Sequence, residues 1–395
     1  MKNVGTISIG VKTPVIKEGD NLKEITVNSV LDACKELNLS LENKDVVAIT
    51  EAVVGISMGN YCTVDDIVVD IKNKMNTEHL GIVYPILSRN RFAVLLTAFA
   101  RSTKKITMLL SYPSDEVGND ILDKDRLREE KIPLNNYIMS EQEYTKKFGD
   151  FKHVFTGVNM VDFYRDLCKK ENCQVEFIFS NDPEAILKYT NDVLCADIHT
   201  RKETKELLKN KGAKVIGLDD LLTESVRGSG YNKKYGLLGS NRSTDQKVKL
   251  FPNECDDFVY SIKDMFKERT GKDIEVMIYG DGAFKDPVGK IWELADPVVS
   301  PYYTSGLEGS PNEIKLKYLS DNKYSDLKGE ELNNKIREEI RKKDNDLKGT
   351  ISSQGTTPRR YTDLLGSLSD LTSGSGDKGT PVVLIQNYFS NYSNQ

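Results

Sequence analysis

The stretch Asp45-Val46-Val47-Ala48-Ile49 is a short, almost wholly apolar run, which is typical of a strand buried inside a sheet. Before it, residues 22–37 have the spacing of an amphipathic helix, and residues 5–11 have the pattern of another strand. A turn at Thr13-Pro14 separates that strand from the helix, and we expect the second strand to extend from Asp45 to Val54. The first sixty residues therefore predict a strand, a turn, a helix and a strand.

Strand and helix patterns alternate in the middle of the chain, which is the rhythm of a small parallel-sheet unit. Strands are expected at residues 153–156, 174–179, 193–197 and 213–217, and helices at residues 161–170 and 202–211. Nearer the C-terminus, the sequence predicts helices at residues 256–270 and 361–371 and strands at residues 105–110, 274–279 and 382–386.

Together these patterns predict a mixed α/β (α+β) fold. At roughly 150 residues per domain, 395 residues suggest two or three folding units. A boundary is expected in the polar stretch at residues 114–131. We predict one discontinuous domain, formed by residues 1–112 and 227–395, and a small inserted α/β parallel-sheet unit at residues 113–226.

Composition limits the classes of function. The chain has 55 Lys and Arg against 60 Asp and Glu, a net charge of −5, so no basic nucleic-acid-binding surface is expected. The apolar stretches fall short of the ~20 residues that a membrane span needs. The N-terminus lacks the pattern of a signal peptide. We therefore expect a cytoplasmic protein that binds neither nucleic acid nor membrane.

Cysteine and histidine give no sign of a metal or disulfide framework. The six cysteines form no CxxC pair, and the three histidines lie far apart in sequence. Their positions are Cys34, Cys62, Cys168, Cys173, Cys195 and Cys255, and His79, His153 and His199. Zinc binding and chemistry carried by His or Cys are not expected.

Two glycine-rich turns beside apolar strands are the strongest local signals. Asp281 follows the strand at residues 274–279 and lies between two glycines, as either a turn former or a metal ligand. The loop from Gly374 to Pro381 precedes the last strand and is either a mobile connection or a place where backbone N–H groups approach a phosphate. The chain contains no P-loop and no G-x-G-x-x-G that lies between a strand and a helix, so the two commonest nucleotide-binding folds are disfavoured.

Two other polar positions have a structural and a functional interpretation. Asp363 follows the basic pair Arg359 and Arg360, which usually means a surface ion pair, but it also borders the glycine loop. The segment from Asp197 to Arg201 follows a strand, where open α/β sheets place ligands. One His and one Arg after a strand are nevertheless common by chance.

Five segments occur in the order found in the coenzyme F420 γ-glutamyl ligase family, which this chain resembles. They are residues 13–22, beginning Thr13-Pro14-Val15-Ile16, residues 45–60, residues 236–241, the strand with Asp281, and residues 363–386. Each motif is weak alone, and together they cover fewer than half of the residues. Their order favours a common fold, so the discontinuous domain is expected to be ligase-like.

The resemblance implies an amide ligase that joins glutamate to a carboxylate through an acyl-phosphate. It further implies a small-molecule substrate, GTP or ATP with Mg²⁺ or Mn²⁺, and a homodimer. By position, the resemblance implies that Asp281 and Gly282 correspond to metal ligands, and it implies nucleotide contacts at Thr13, Pro14, Val15, Ile16, Asn241, Gly374, Gly376 and Gly379. Lys378, as a mobile cation, and Asp363 are the candidate catalytic residues.

Departures from the family pattern leave a second function open. Leu238 stands where the family has its other metal-binding Asp, and Ile56 stands where it has a Lys. Glu51 is the candidate for a replacement carboxylate in a rebuilt site. The roughly 175 residues between Asn60 and Gly236 also exceed what the family places there. The alternative is a catalytically inactive protein that keeps the fold to bind a nucleotide or another small ligand.

Overall fold

The structure, a computed structural model, describes residues 4–154, 156–280, 284–285, 292–293, 299–353, 359–373 and 377–393. The strands are β1 (Ile7–Val11), β2 (Val46–Thr50), β3 (Tyr61–Thr63), β4 (His79–Val83), β5 (Lys105–Leu110), β6 (Met139–Ser140), β7 (Gln174–Phe179), β8 (Asp192–Cys195), β9 (Lys214–Gly217), β10 (Asn241–Arg242), β11 (Lys247–Lys249), β12 (Glu275–Tyr279), β13 (Phe284–Lys285), β14 (Trp292–Glu293), β15 (Tyr302–Tyr303) and β16 (Val382–Gln386).

The α-helices are α1 (Leu22–Glu36), α2 (Glu51–Ser57), α3 (Val64–Lys74), α4 (Phe92–Ser102), α5 (Lys124–Glu129), α6 (Glu141–Phe148), α7 (Met160–Lys170), α8 (Arg201–Asn210), α9 (Asp256–Thr270), α10 (Leu316–Tyr318), α11 (Gly329–Lys342) and α12 (Tyr361–Ser373). Short 3-10 turns occupy Pro183–Lys188, Leu218–Asp220, Ser305–Leu307 and Ile351–Ser353, and a π-helical turn occupies Leu319–Lys323. No helix in the described ranges is both long and apolar enough to cross a membrane.

The first sheet joins the two ends of the chain. Its order is β1-β16-β2-β12-β15, with β2 and β12 parallel and the other neighbours antiparallel. All five residues of β2, β12 and β16 are buried or nearly so. This burial explains why the three strands are continuous apolar runs without an exposed polar alternation.

Both faces of the first sheet are covered by helices. One face packs α1 and α9 against residues such as Val47, Ile278 and Leu384. The opposite face packs α12 against their strand neighbours, which include Ala48, Met277 and Val383. This three-layer arrangement packs strands from residues 7–50 and 275–386 into one sheet with an apolar cluster on each face.

The second sheet has the order β6-β7-β5-β4-β8-β9. Its five strands other than β6 are parallel, and the short β6 is antiparallel to β7. Helices α4 and α7 pack on one face, whereas the 3-10 turn after β7 and α8 pack on the other. In chain order, the parallel strands are arranged third, second, first, fourth, fifth, which is the order of a doubly wound sheet.

A small third sheet connects these two units. It has the order β10-β11-β3, with both pairs antiparallel. Strand β3 follows α2 of the first unit, and the N–H of Arg242 in β10 donates to the carbonyl of Asn90 beside the second sheet, at 2.8 Å. The third sheet therefore links the loops at the ends of β2 and β4.

The mixed α/β (α+β) class is confirmed, and several elements differ from their prediction. The predicted strand at residues 45–54 ends at Thr50, because Glu51 begins α2. The predicted strand at residues 153–156 is wrong for residues 153, 154 and 156, none of which lies in a strand. Strand β4 was not predicted, although it lies at the centre of the second sheet.

The second sheet extends beyond the segment predicted to contain it. Strands β4 and β5 lie on the N-terminal side of the expected border at residue 113, yet they pair with β8 and β7. The border therefore falls within the chain that builds this sheet. The division of the chain into domains stays a prediction.

Candidate functional site

The site is built at one edge of the first sheet, which we call the carboxyl edge. It comprises Val11–Ile16, Thr50–Glu51, Gly280 and Gly379–Pro381. Parallel strands β2 and β12 end here, β16 begins here, and β1 ends here because it is antiparallel to β16. The fold thus brings together segments that are up to about 370 residues apart in sequence, at the kind of edge where α/β sheets bind ligands.

Backbone hydrogen bonds fix two of the predicted nucleotide-contacting segments against each other. The N–H of Thr13 donates to the carbonyl of Gly379 at 3.2 Å, and the N–H of Thr50 donates to the carbonyl of Pro381 at 2.9 Å. Gly379 has a φ of +68°, a conformation that a side chain would strain. Gly374 and Gly376 lie outside the described residues.

The turn from Thr13 to Ile16 is anchored at Ile16 and exposed in its middle. Ile16 is buried in the apolar cluster between the first sheet and α1. Pro14 is exposed, and Val15 is 85% exposed. The hydroxyl of Thr13 donates to the Pro14 carbonyl at 2.9 Å. The turn therefore presents an apolar side chain to solvent at the carboxyl edge.

Two exposed lysines flank the hydrogen bond between Thr13 and Gly379. Lys12 precedes Thr13, and Lys378 precedes Gly379. Neither ammonium group forms a salt bridge with any residue in the described part of the chain. These cations are available to an anionic ligand at this edge.

Glu51 is held by a buried lysine that sequence reasoning missed. The Nζ of Lys249 donates to both carboxylate oxygens of Glu51, at 2.8 and 2.7 Å, and each side chain is only 9% exposed. In the third sheet, Lys249 is the direct neighbour of Asn241. Lys249 thus contacts the side chain of Glu51 and pairs with Asn241 through the strand backbone, so it connects two predicted residues. Since the partners are 198 residues apart, no local pattern reveals the pair.

Asp363 forms the ion pair that its sequence context suggested. Both of its oxygens accept from the guanidinium of Arg360, at 3.1 and 2.9 Å, and this hydrogen bonding raises the pKa of Arg360 above its usual value. The first turn of α12 lies close to the end of β12. The N–H of Gly280 donates to Val299, and the hydroxyl of the next residue, Ser300, donates to Thr362, each at 2.7 Å.

The predicted metal position follows Gly280 directly. Asp281 and Gly282 lie outside the described residues, so their roles stay predictions. Within the described ranges, no group of three or more His, Cys, Asp or Glu side chains is arranged to hold a metal ion. All six cysteines are buried and unbridged.

A comparison with protein families shows to which family the chain belongs. The family model described as F420-0:gamma-glutamyl ligase matches residues 10–387, nearly the whole chain. The chain belongs to the F420-0:gamma-glutamyl ligase family. No curated protein matches it. The resemblance inferred from five short segments is confirmed, and membership supports a ligase role in general.

The match to the F420-0:gamma-glutamyl ligase family includes both large sheets. It begins within β1 and ends one residue after β16, so the second sheet lies inside the matched region. The two residues at which the resemblance implies a departure from the pattern of this ligase family are packed in apolar surroundings. Leu238 is 2% exposed in the core beside the second sheet, and Ile56 packs against the core of the first. Neither side chain can supply a ligand or a charge.

Proposed function

We propose that the carboxyl edge binds a nucleoside triphosphate, GTP or ATP, and uses it to form an amide bond between a carboxylic acid and an amino acid related to glutamate. The observation that carries the proposal is the meeting of the Thr13–Ile16 turn, the start of α2 and the Gly379 loop at this edge. The family membership supplies the ligase role.

The residues at the edge suit a triphosphate. Lys12 and Lys378 offer two exposed ammonium groups beside the place where the backbone around Gly10 lies close to Thr380. Gly10 allows this close packing because a Cβ at that position would lie 3.3 Å from the side chain of Thr380. Charge-assisted hydrogen bonds from such groups are stronger than neutral ones. Their role is to hold the phosphate groups and to offset the charge that develops during phosphoryl transfer.

The proposed chemistry has two steps. An oxygen of the acid attacks the γ-phosphorus, the nucleoside diphosphate leaves with the electron pair of the broken P–O bond, and an acyl-phosphate forms. The amine nitrogen then attacks the acyl carbon, loses a proton, and phosphate leaves. A bound Mg²⁺ or Mn²⁺ would neutralise phosphate charge. Asp281 is its proposed ligand, since both oxygens of Glu51 already accept from Lys249.

A second candidate function is a binding protein without catalysis. It is favoured by Leu238, which replaces a carboxylate of the family pattern and is buried in the core. In that case the edge would bind a nucleotide or another anionic small molecule and leave it unchanged.

Calorimetric titration of the full chain with GTP and ATP, with and without Mn²⁺, tests the proposal. We expect Mn²⁺-dependent binding that Asp281→Ala abolishes. The double variant Lys12→Gln and Lys378→Gln should bind about tenfold more weakly, because two charge-assisted contacts are lost. Lys348→Gln, at another exposed lysine, is the matched control and should bind as the unmodified protein does. Absence of nucleotide binding would overturn the proposal.

The expected homodimer and a cytoplasmic location belong to the same proposal. They follow from what the family resemblance implied and from the lack of a membrane-spanning pattern, and sedimentation of the purified chain tests the first of them. A monomer at assay concentrations would contradict it without affecting the nucleotide site.

A further inference from the structure

A groove of about 280 Å³ lies between α4, α7 and the turn that joins β10 to β11. Phe163, Leu167 and Lys170 line it from α7, at positions i, i+4 and i+7, so they share one face of that helix. Val94 and Thr97 line it from α4. In the described part of the chain, no residue of the carboxyl edge lines this groove, so it is a separate feature of the molecule.

The walls of the groove suit a flat apolar body. Val94 is buried, whereas Phe163 and Leu167 pack against the core beside the second sheet and keep part of their side chains exposed. A partly exposed aromatic ring offers a favourable contact surface to a second ring. Small-molecule sites begin at volumes of about 300 Å³, so the groove suits a compact ligand of one or two rings.

The carboxylates that line the groove already have cationic partners. Both oxygens of Glu171 accept from the guanidinium of Arg101, at 3.0 and 3.1 Å. Asp245, on the turn between β10 and β11, accepts from Arg242. These are the two acidic residues among the lining residues that the structure describes. A cationic ligand would therefore have to displace an existing ion pair.

Two hydrogen-bond donors at one end of the groove have no partner within the described ranges. The ammonium group of Lys170 is exposed and forms neither a salt bridge nor a hydrogen bond there. The side-chain oxygen of Gln246 accepts from Arg101 at 3.4 Å, so its amide nitrogen is the donor that stays available. Arg101 also holds Glu171, the residue after Lys170, which places both donors at the same end. Available donors without an available carboxylate suit an anion.

We propose that this groove binds an aromatic monocarboxylate of one or two rings, with its ring against Phe163 and Leu167 and its carboxylate directed to Lys170 and Gln246. An ammonium group in the same position would meet the positive charge of Lys170 and no unpaired carboxylate of the lining. Binding here requires no nucleotide, so the proposal does not depend on the proposed ligase function.

Titration of the full chain with 2-naphthoate, without nucleotide and followed by the NMR signals of the ligand, tests this site. We expect saturable binding with a Kd on the order of 1 mM. Naphthalene-2-carboxamide, which has the same shape without the charge, should bind about fivefold more weakly, and 2-naphthylmethylammonium should bind more weakly still. Thr97→Phe should weaken 2-naphthoate binding at least about tenfold, because its ring fills part of the groove.

The charge of Lys170 has a matched control on the same helix. Lys170→Gln should weaken 2-naphthoate binding about fivefold, since it removes one exposed ammonium group. Lys169→Gln removes the neighbouring exposed lysine, which does not line the groove, and should bind as the unmodified chain does. Thermal unfolding shows that each variant is folded. The proposal is overturned if 2-naphthoate does not bind saturably, if the ammonium compound binds as tightly, or if Lys170→Gln and Lys169→Gln bind it equally.

Discussion

Lys249→Met is expected to lower the free energy of unfolding by about 3–5 kcal/mol, because it leaves the buried carboxylate of Glu51 without its positive partner. The methionine fills most of the space of the lysine stem, so the lost charge dominates the effect. Urea denaturation of the full chain measures it. Because Lys249 lies beside Asn241 and Glu51 starts α2, the same change should disturb the carboxyl edge.

Two comparisons separate charge from packing. Glu51→Gln combined with Lys249→Met removes both charges and should recover most of the loss, since no unpaired charge remains. Lys104→Met removes a lysine whose ion pair with Glu78 is more than three-quarters exposed, and it should cost less than about 1 kcal/mol. A loss in Lys249→Met no larger than that in Lys104→Met would contradict the structural role assigned to the buried pair.

Gly236→Ala is expected to cost about 3 kcal/mol or more. Gly236 has a φ of +55°, and a Cβ there would lie 2.5 Å from the carbonyl oxygen of Leu221 and 2.7 Å from that of Leu218. A left-handed conformation costs alanine about 1–2 kcal/mol, and backbone oxygens cannot move aside as a flexible side chain can. Denaturant unfolding measures the loss.

Gly212→Ala is the matched control for this prediction. Gly212 also has a positive φ, +86°, and it follows α8, but a Cβ there would contact nothing within 4 Å. It should therefore cost only the conformational penalty, about 1 kcal/mol. Equal losses of unfolding free energy in the two variants would show that the close approach of Gly236 to residues 218–221 does not determine the fold of the loop that contains Gly236.

Local patterns predicted most of the helices and buried strands. Helix α9 was expected at residues 256–270 and lies there, because its apolar spacing and flanking Gly271 are local signals. Helix α2 was missed, since a seven-residue helix that follows an apolar strand without a break shows too few turns to reveal its period. In β4, Gly81 interrupts the apolar run, although the absence of its side chain lets Ile186 pack against the strand.

Pairing between distant strands was beyond the reach of sequence patterns. Alternating strands and helices indicated a parallel sheet, but its order, and the inclusion of β4 and β5, depend on contacts between segments that are tens of residues or more apart. The same limit applies to the site. The order of motifs indicated that Thr13–Ile16, Glu51 and Gly379 belong together, whereas Lys249 carried no local signal.

Trapping of an acyl-phosphate tests the proposed ligase function most directly. The full chain would be incubated with GTP or ATP, Mn²⁺, hydroxylamine and a panel of small carboxylic acids, while hydroxamate and inorganic phosphate are measured. We predict equal amounts of both with at least one acid, and their loss in the Lys12→Gln and Lys378→Gln double variant. Nucleotide binding with no acid-dependent phosphate release would contradict the ligase function and favour the binding protein.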